Sequence, residues 1–214
     1  MPTTPDEEAA WFAANTALLE EHYLRADNPR AQSGFSRGER EWERARRPIV
    51  SAIHRGGSFL DIGCASGLLM ESVERWAAEA GHTVEAHGLD ISAKLVALAR
   101  HRLPAWAERL HVGNALDWNP PRRFDFVRTE LVYVPPHLRR TYVERLLSHV
   151  VAEHGRLILC AYKGPQGVEP LAEELGGWGY PVGGLVEARD ADGALLTRVV
   201  WMDLDPARPR PSVE

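Results

Sequence analysis

The chain is poor in the features that mark many specialised proteins. It has two cysteines in 214 residues, Cys64 and Cys160, each within or beside a predicted strand. They read as reduced and structural, the usage expected of a cytoplasmic protein. No apolar run approaches the roughly 20 residues that a membrane-crossing helix needs, so no membrane partner is expected. The opening Met1-Pro-Thr-Thr-Pro-Asp-Glu-Glu is acidic and lacks the basic and apolar regions of a signal peptide. Lysine is nearly missing: Lys94 and Lys163 stand alone among many arginines, a skew that fits GC-rich, bacterial-like coding. A net charge of −5 weighs against nucleic acid as the main partner, since phosphate-binding domains carry a basic surface. There is no G-x-G-x-x-G turn of the nicotinamide and flavin enzymes, no G-K-[ST] phosphate loop, no Cys/His set with zinc spacing and no internal repeat.

What remains is ordinary globular material, 44% apolar and 26% charged, enough for one domain with a full core. Residues 7–25 fit an amphipathic helix through Trp11, Phe12, Leu18, Leu19 and Tyr23, broken by Asn28-Pro29. Residues 39–54 alternate acid and base around Trp42 and read as an exposed, salt-bridged helix. Strand and helix patterns then alternate: strands at 58–62, 84–89, 110–112, 124–127 and 156–162, and helices at 68–80, 92–102 and 137–151. A helix reaching Leu175 follows, and two strand-like runs joined by Asp190-Ala-Asp-Gly193 close the chain as a hairpin. The expected organisation is a helical cap or lid over 1–55, an α/β core over 56–205, and a disordered tail over 206–214.

The chain is organised around Phe59-Leu60-Asp61-Ile62-Gly63-Cys64-Ala65-Ser66-Gly67. An apolar run ends in an acid and opens into a glycine turn that feeds a helix. In an open α/β sheet this junction lies at the ligand crevice, and glycines there permit tight turns and close ligand approach. A glycine turn made only for packing is the plainer alternative. Asp90 ends the second strand at the same predicted edge, where an acid accepts the two hydroxyls of a ribose. That marks a nucleoside without naming the cofactor, and a carboxylate favoured by a helix dipole is the plainer alternative. After the third strand comes Gly113-Asn114-Ala115-Leu116-Asp117, in which Asn114 either hydrogen-bonds a base or closes an Asx turn.

The first junction resembles motif I of class I S-adenosylmethionine-dependent methyltransferases, usually written [DE]-x-G-x-G-x-G. Asp90 and Asn114 are similar to that family's ribose and adenine contacts, and the terminal hairpin to its strand order. The resemblance runs from about Ser58 to Leu204 and implies a doubly wound, mostly parallel seven-stranded sheet with a C-terminal antiparallel hairpin. It implies S-adenosylmethionine as cofactor, S-adenosylhomocysteine as product, and cofactor contacts at Asp61, Gly63, Cys64, Ala65, Gly67, Asp90, Ile91, Asn114 and Ala115. Ala65 stands where the family commonly has its middle glycine, so the turn is expected to hold it at an ordinary negative φ.

The acceptor is approached by elimination. No [ND]-P-P-[FY] and no Pro-Cys loop follows the fourth strand, where Thr129-Glu130-Leu131-Val132 stands instead. Long insertions for macromolecular recognition are missing too. A small-molecule methyl acceptor with an O or N nucleophile is the expected partner. Glu130, Tyr133 and His137 are the candidate catalytic groups, Glu130 as a sheltered carboxylate whose pKa burial would raise. Each has a plainer alternative: Glu130 as a partner of Arg128, Tyr133 as core, His137 as an exposed cap. A regulatory S-adenosylmethionine-binding protein without transferase activity is the alternative function, and a nicotinamide enzyme a third.

Overall fold

The strands form one seven-stranded sheet in the order β3-β2-β1-β4-β5-β7-β6. They are β1 (Gly57–Ile62), β2 (Val84–Asp90), β3 (Leu110–Val112), β4 (Phe124–Thr129), β5 (Val151–Tyr162), β6 (Gly184–Arg189) and β7 (Leu195–Asp203). The computed structural model describes residues 4–204, so the tail expected at 206–214 lies outside the described residues. Pairing is parallel from β3 through β5, and β7 runs antiparallel to both β5 and β6. This is the expected fold class. Among the described residues no helix is long and apolar enough to cross a membrane.

The helices are α1 (Pro5–Leu24), α2 (Glu39–Arg46), α3 (Leu68–Glu79), α4 (Ala93–Arg102), α5 (Arg139–Arg145) and α6 (Leu171–Gly177). Strand alternation divides the core between the two faces of the sheet. Phe59, Val84 and Ala86 pack with Trp42, Val73, Trp76 and Val96, from α2, α3 and α4. Leu60, Ile62 and Leu89 point the other way, toward Tyr142, Val143, Leu171 and Leu175 of α5 and α6.

Local chemistry sets the boundaries. Thr4 and Glu7 form a reciprocal capping box at the start of α1. Ser92 caps α4, its Oγ accepting from the Leu95 N–H at 3.1 Å. The helix expected over 39–54 stops at Arg46, and a 3₁₀ segment Arg47–Ala52 follows, in which Pro48 has no N–H to continue the α-helical ladder. It is less exposed than its charges suggest, because Trp42 and Ala45 are buried and Trp42 Nε1 donates to Ser72 Oγ at 3.1 Å. The helix expected over 137–151 is also divided, into a 3₁₀ turn, α5 and a π-turn.

Candidate functional site

The strand order reverses between β1 and β4, and a cavity of about 420 Å³ opens at the carboxyl edge of this switch point. Asp61, Ile62, Gly63, Cys64 and Ala65 enter it from the end of β1 and its turn, Asp90 and Ile91 from β2, and Gly113, Asn114 and Ala115 from β3. The residues expected to meet one ligand thus share one cavity, with one exception. Gly67 does not line it. It begins α3 at φ 74°, and a Cβ there would lie 2.9 Å from Leu103 Cδ1. Its freedom shapes the turn.

Ala65 departs from its expected conformation. Its φ is +45°, in the left-handed region that disfavours a side chain. The cost is met by Asp90, whose Oδ2 accepts the Ala65 N–H at 2.9 Å, while its Oδ1 accepts the Ser92 N–H at 2.9 Å. Asp90 therefore ties the turn after β1 to the turn after β2. A carboxylate has about four acceptor sites, so lone pairs remain for a ligand hydroxyl on each oxygen. Burial raises the Asp90 pKa and the two N–H donors oppose that rise. Asn114 Oδ1 accepts the Leu116 N–H at 3.1 Å, closing the Asx turn while the residue still lines the cavity. Ile91 is 37% exposed, an apolar surface at the rim of the cavity.

At the other end the organising group is Arg128, which the sequence alone marks only as a possible partner of Glu130. The parallel register sets Asp61 opposite Arg128, two residues beyond the Phe59–Phe126 pair. Arg128 is 2% exposed, and its Nη1 donates to Asp61 Oδ1 at 3.1 Å and to Tyr133 Oη at 3.2 Å. Its Nη2 donates to Glu130 Oε1 and, at 3.1 Å, to Tyr162 Oη. Tyr133 Oη donates to Glu130 Oε1 at 2.7 Å, so Glu130 is fixed by two donors. Burial lifts the Asp61 pKa to about 6 despite the Arg128 charge. Burial also raises Tyr133 and Tyr162, which keeps both phenols as donors. Tyr133 packs so closely on the glycine turn that a Cβ at Gly63 would lie 2.5 Å from its Cζ.

His137 is not part of this group. It is exposed, does not line the cavity, and its Nε2 lies 2.9 Å from Glu8 Oε1 of α1. It is the middle residue of a 3₁₀ turn, Pro136–Leu138.

The roof comes from the amino-terminal segment. Trp11, Phe12, Asn15, Leu19 and Tyr23 of α1 line the cavity, as do Trp42 and Arg46 of α2. No α1 residue is buried, so the helix lies over the opening and not within a core. It is tethered where Glu20 accepts from Ser92 Oγ at 2.7 Å and Lys94 Nζ at 2.6 Å.

Residues 59–153 match the family model described as methyltransferase domain. No curated protein matches the chain by sequence. Solved structures of the same fold include N-methyltransferase NodS from Bradyrhizobium japonicum WM9 with S-adenosyl-L-homocysteine, at 14% identity and TM-score 0.65. The match covers 89% of this chain and 98% of that one. Another is the 1,6-didemethyltoxoflavin-N1-methyltransferase of Burkholderia thailandensis with 1,6-didemethyltoxoflavin and S-adenosylhomocysteine, at 17% identity and TM-score 0.63, covering 96% and 92%. The [4+2]-cyclase SpnF is also similar, at 15% identity and TM-score 0.58, covering 79% and 83%. Sheet order and the cavity at the switch point agree with those structures: the chain has the class I S-adenosylmethionine-dependent methyltransferase fold, and residues 59–153 within it are similar to the methyltransferase domain model.

Proposed function

We propose that this protein transfers a methyl group from S-adenosylmethionine to an O or N nucleophile on a small molecule. The observation that carries the proposal is one capped cavity with two chemically distinct ends. Its β1–β3 end offers what a nucleoside needs: the Asp90 carboxylate for ribose hydroxyls, Ile91 and Ala115 as apolar faces for a base, and the Asn114 amide at the base edge. The Gly63-Cys64-Ala65 turn, which lines the same cavity, would take the amino-acid end of the cofactor. These residues fit the group. When bound, it supplies an electrophilic methyl on a sulfonium, and the protein's task is alignment and exclusion of water.

The β4–β5 end supplies alignment. Arg128 holds Glu130, Tyr133 and Tyr162 in one hydrogen-bonded set, so Glu130 positions an acceptor N–H or O–H by accepting from it. The α1 helix and the Trp42 region act as the lid, excluding water from the reacting end. A small acceptor is supported by this roof and by the likeness to an N1-methyltransferase crystallised with 1,6-didemethyltoxoflavin. One observation favours a second reading, ligand binding without transfer: both acids at the reacting end, Asp61 and Glu130, are engaged by Arg128. Calorimetry with S-adenosylhomocysteine, followed by turnover of methyl-labelled S-adenosylmethionine, separates the two. Micromolar binding with transfer supports the proposal, and binding without transfer supports the second reading.

A further inference from the structure

Among the described residues, Arg46 is a cation in the cavity with no carboxylate paired to it. It lines the site, and among the described residues no ion pair includes it. Its guanidinium carbon lies 3.3 Å from the Tyr162 ring centroid, 5.2 Å from that of Trp42 and 5.4 Å from that of Phe35. Three rings fix the plane of the guanidinium without using its N–H donors, which is the state of an arginine prepared for a planar, bidentate anion. The neighbouring Arg128 is in the opposite condition, neutralised by Asp61 and Glu130.

Position separates Arg46 from the nucleoside contacts. Tyr162 ends β5, two strands from β1 in the sheet, about 10 Å at the usual spacing between strands. Asp90 and Asn114 lie on the other side of β1. The aromatic walls around Arg46 suit a ring, and its donors suit a carboxylate. Building on the methyl-transfer reading, we infer that the acceptor is a planar aromatic acid whose carboxylate is bound by Arg46.

The test uses the full chain saturated with S-adenosylhomocysteine, titrated calorimetrically with benzoate and with benzamide, its neutral isostere. Benzoate is expected to bind roughly ten- to a hundredfold more tightly than benzamide. In Arg46→Met, which keeps the apolar stem, that preference disappears. Arg46→Lys, which keeps the charge without the fork, falls between and serves as a second variant if the first does not fold. The affinities of S-adenosylhomocysteine and of 5′-methylthioadenosine, which lacks the amino-acid end, stay at the wild-type level in both variants. Equal binding of benzoate and benzamide by the wild type overturns the inference. So does a loss of S-adenosylhomocysteine affinity in Arg46→Met with 5′-methylthioadenosine unaffected, because Arg46 then holds the cofactor's own carboxylate. Absence of any S-adenosylhomocysteine binding by the wild type is a different failure, and it removes the methyl-transfer reading itself.

Discussion

Asp61 of β1 and Arg128 of β4 stand opposite one another in the parallel register, and their side chains meet at 3.1 Å with almost no exposure to water. The backbone pairing thus brings an acid and a base together at the point where the strand order reverses. Arg128 then reaches on to Glu130 and two tyrosines, so one buried cation ties the β1 edge of the cavity to its β4–β5 end.

Arg128→Met leaves two acids sheltered without their cation. A broken buried pair costs about 3–5 kcal/mol, and urea unfolding is expected to show a loss of that size. Glu130→Gln is milder. It keeps the shape and the Tyr133 contact, and is expected to lower methyl transfer while S-adenosylhomocysteine affinity stays near wild type.

Asp61 gives a pH signature. Its folded pKa, about 6, lies above the ordinary 3.8, so the folded state takes up this proton first as pH falls. Between about pH 6 and pH 3.8 its contribution to stability therefore rises on acidification, the reverse of an ordinary salt-bridged carboxylate. Carbon-13 NMR of the Asp61 carboxyl is expected to give a midpoint near 6. A midpoint at the ordinary value would show that the Arg128 charge cancels the effect of burial.

Asp90 has two duties. Asp90→Ala removes an expected ribose contact and releases the N–H groups of Ala65 and Ser92. Affinity for S-adenosylhomocysteine is expected to fall roughly ten- to a hundredfold. The released turn, with Ala65 at φ +45°, also unfolds more easily, so the melting temperature drops as well. Unchanged affinity in a folded variant would remove the ribose contact.

The lid has its own test. Because α1 buries no residue, removing residues 1–26 is expected to leave the core folded. Turnover is expected to fall roughly tenfold or more, each tenfold loss being about 1.4 kcal/mol of barrier. His137→Ala weakens the tether to Glu8 and is expected to leave turnover almost intact. A truncated protein with wild-type turnover would show that α1 does not serve as the lid.

Much of this was legible in the sequence because it is local. The glycine turn, Asp90 at a strand end, the Ser92 cap and the terminal hairpin are each written within a few consecutive residues. Arg128 as organiser was not legible, because its meaning depends on the register of β4 against β1, strands separated in sequence by two helices and two strands. The left-handed Ala65 was hidden for a related reason: the group that holds it is Asp90, on another strand. His137 followed a proline pair suited to a loop lining, yet the 3₁₀ turn there carries it outward to α1. Gly67 matched the motif by spacing, but its freedom serves the turn and the packing of Leu103.

Methyl transfer to a small molecule is tested directly by one measurement. The full chain is incubated with methyl-labelled S-adenosylmethionine and a fractionated cell extract, and the label is followed by size. Label is expected in a low-molecular-weight product, formed together with S-adenosylhomocysteine and strongly reduced in Asp90→Ala. Label appearing only in protein or nucleic acid, or no transfer by a protein that binds S-adenosylhomocysteine, would contradict it.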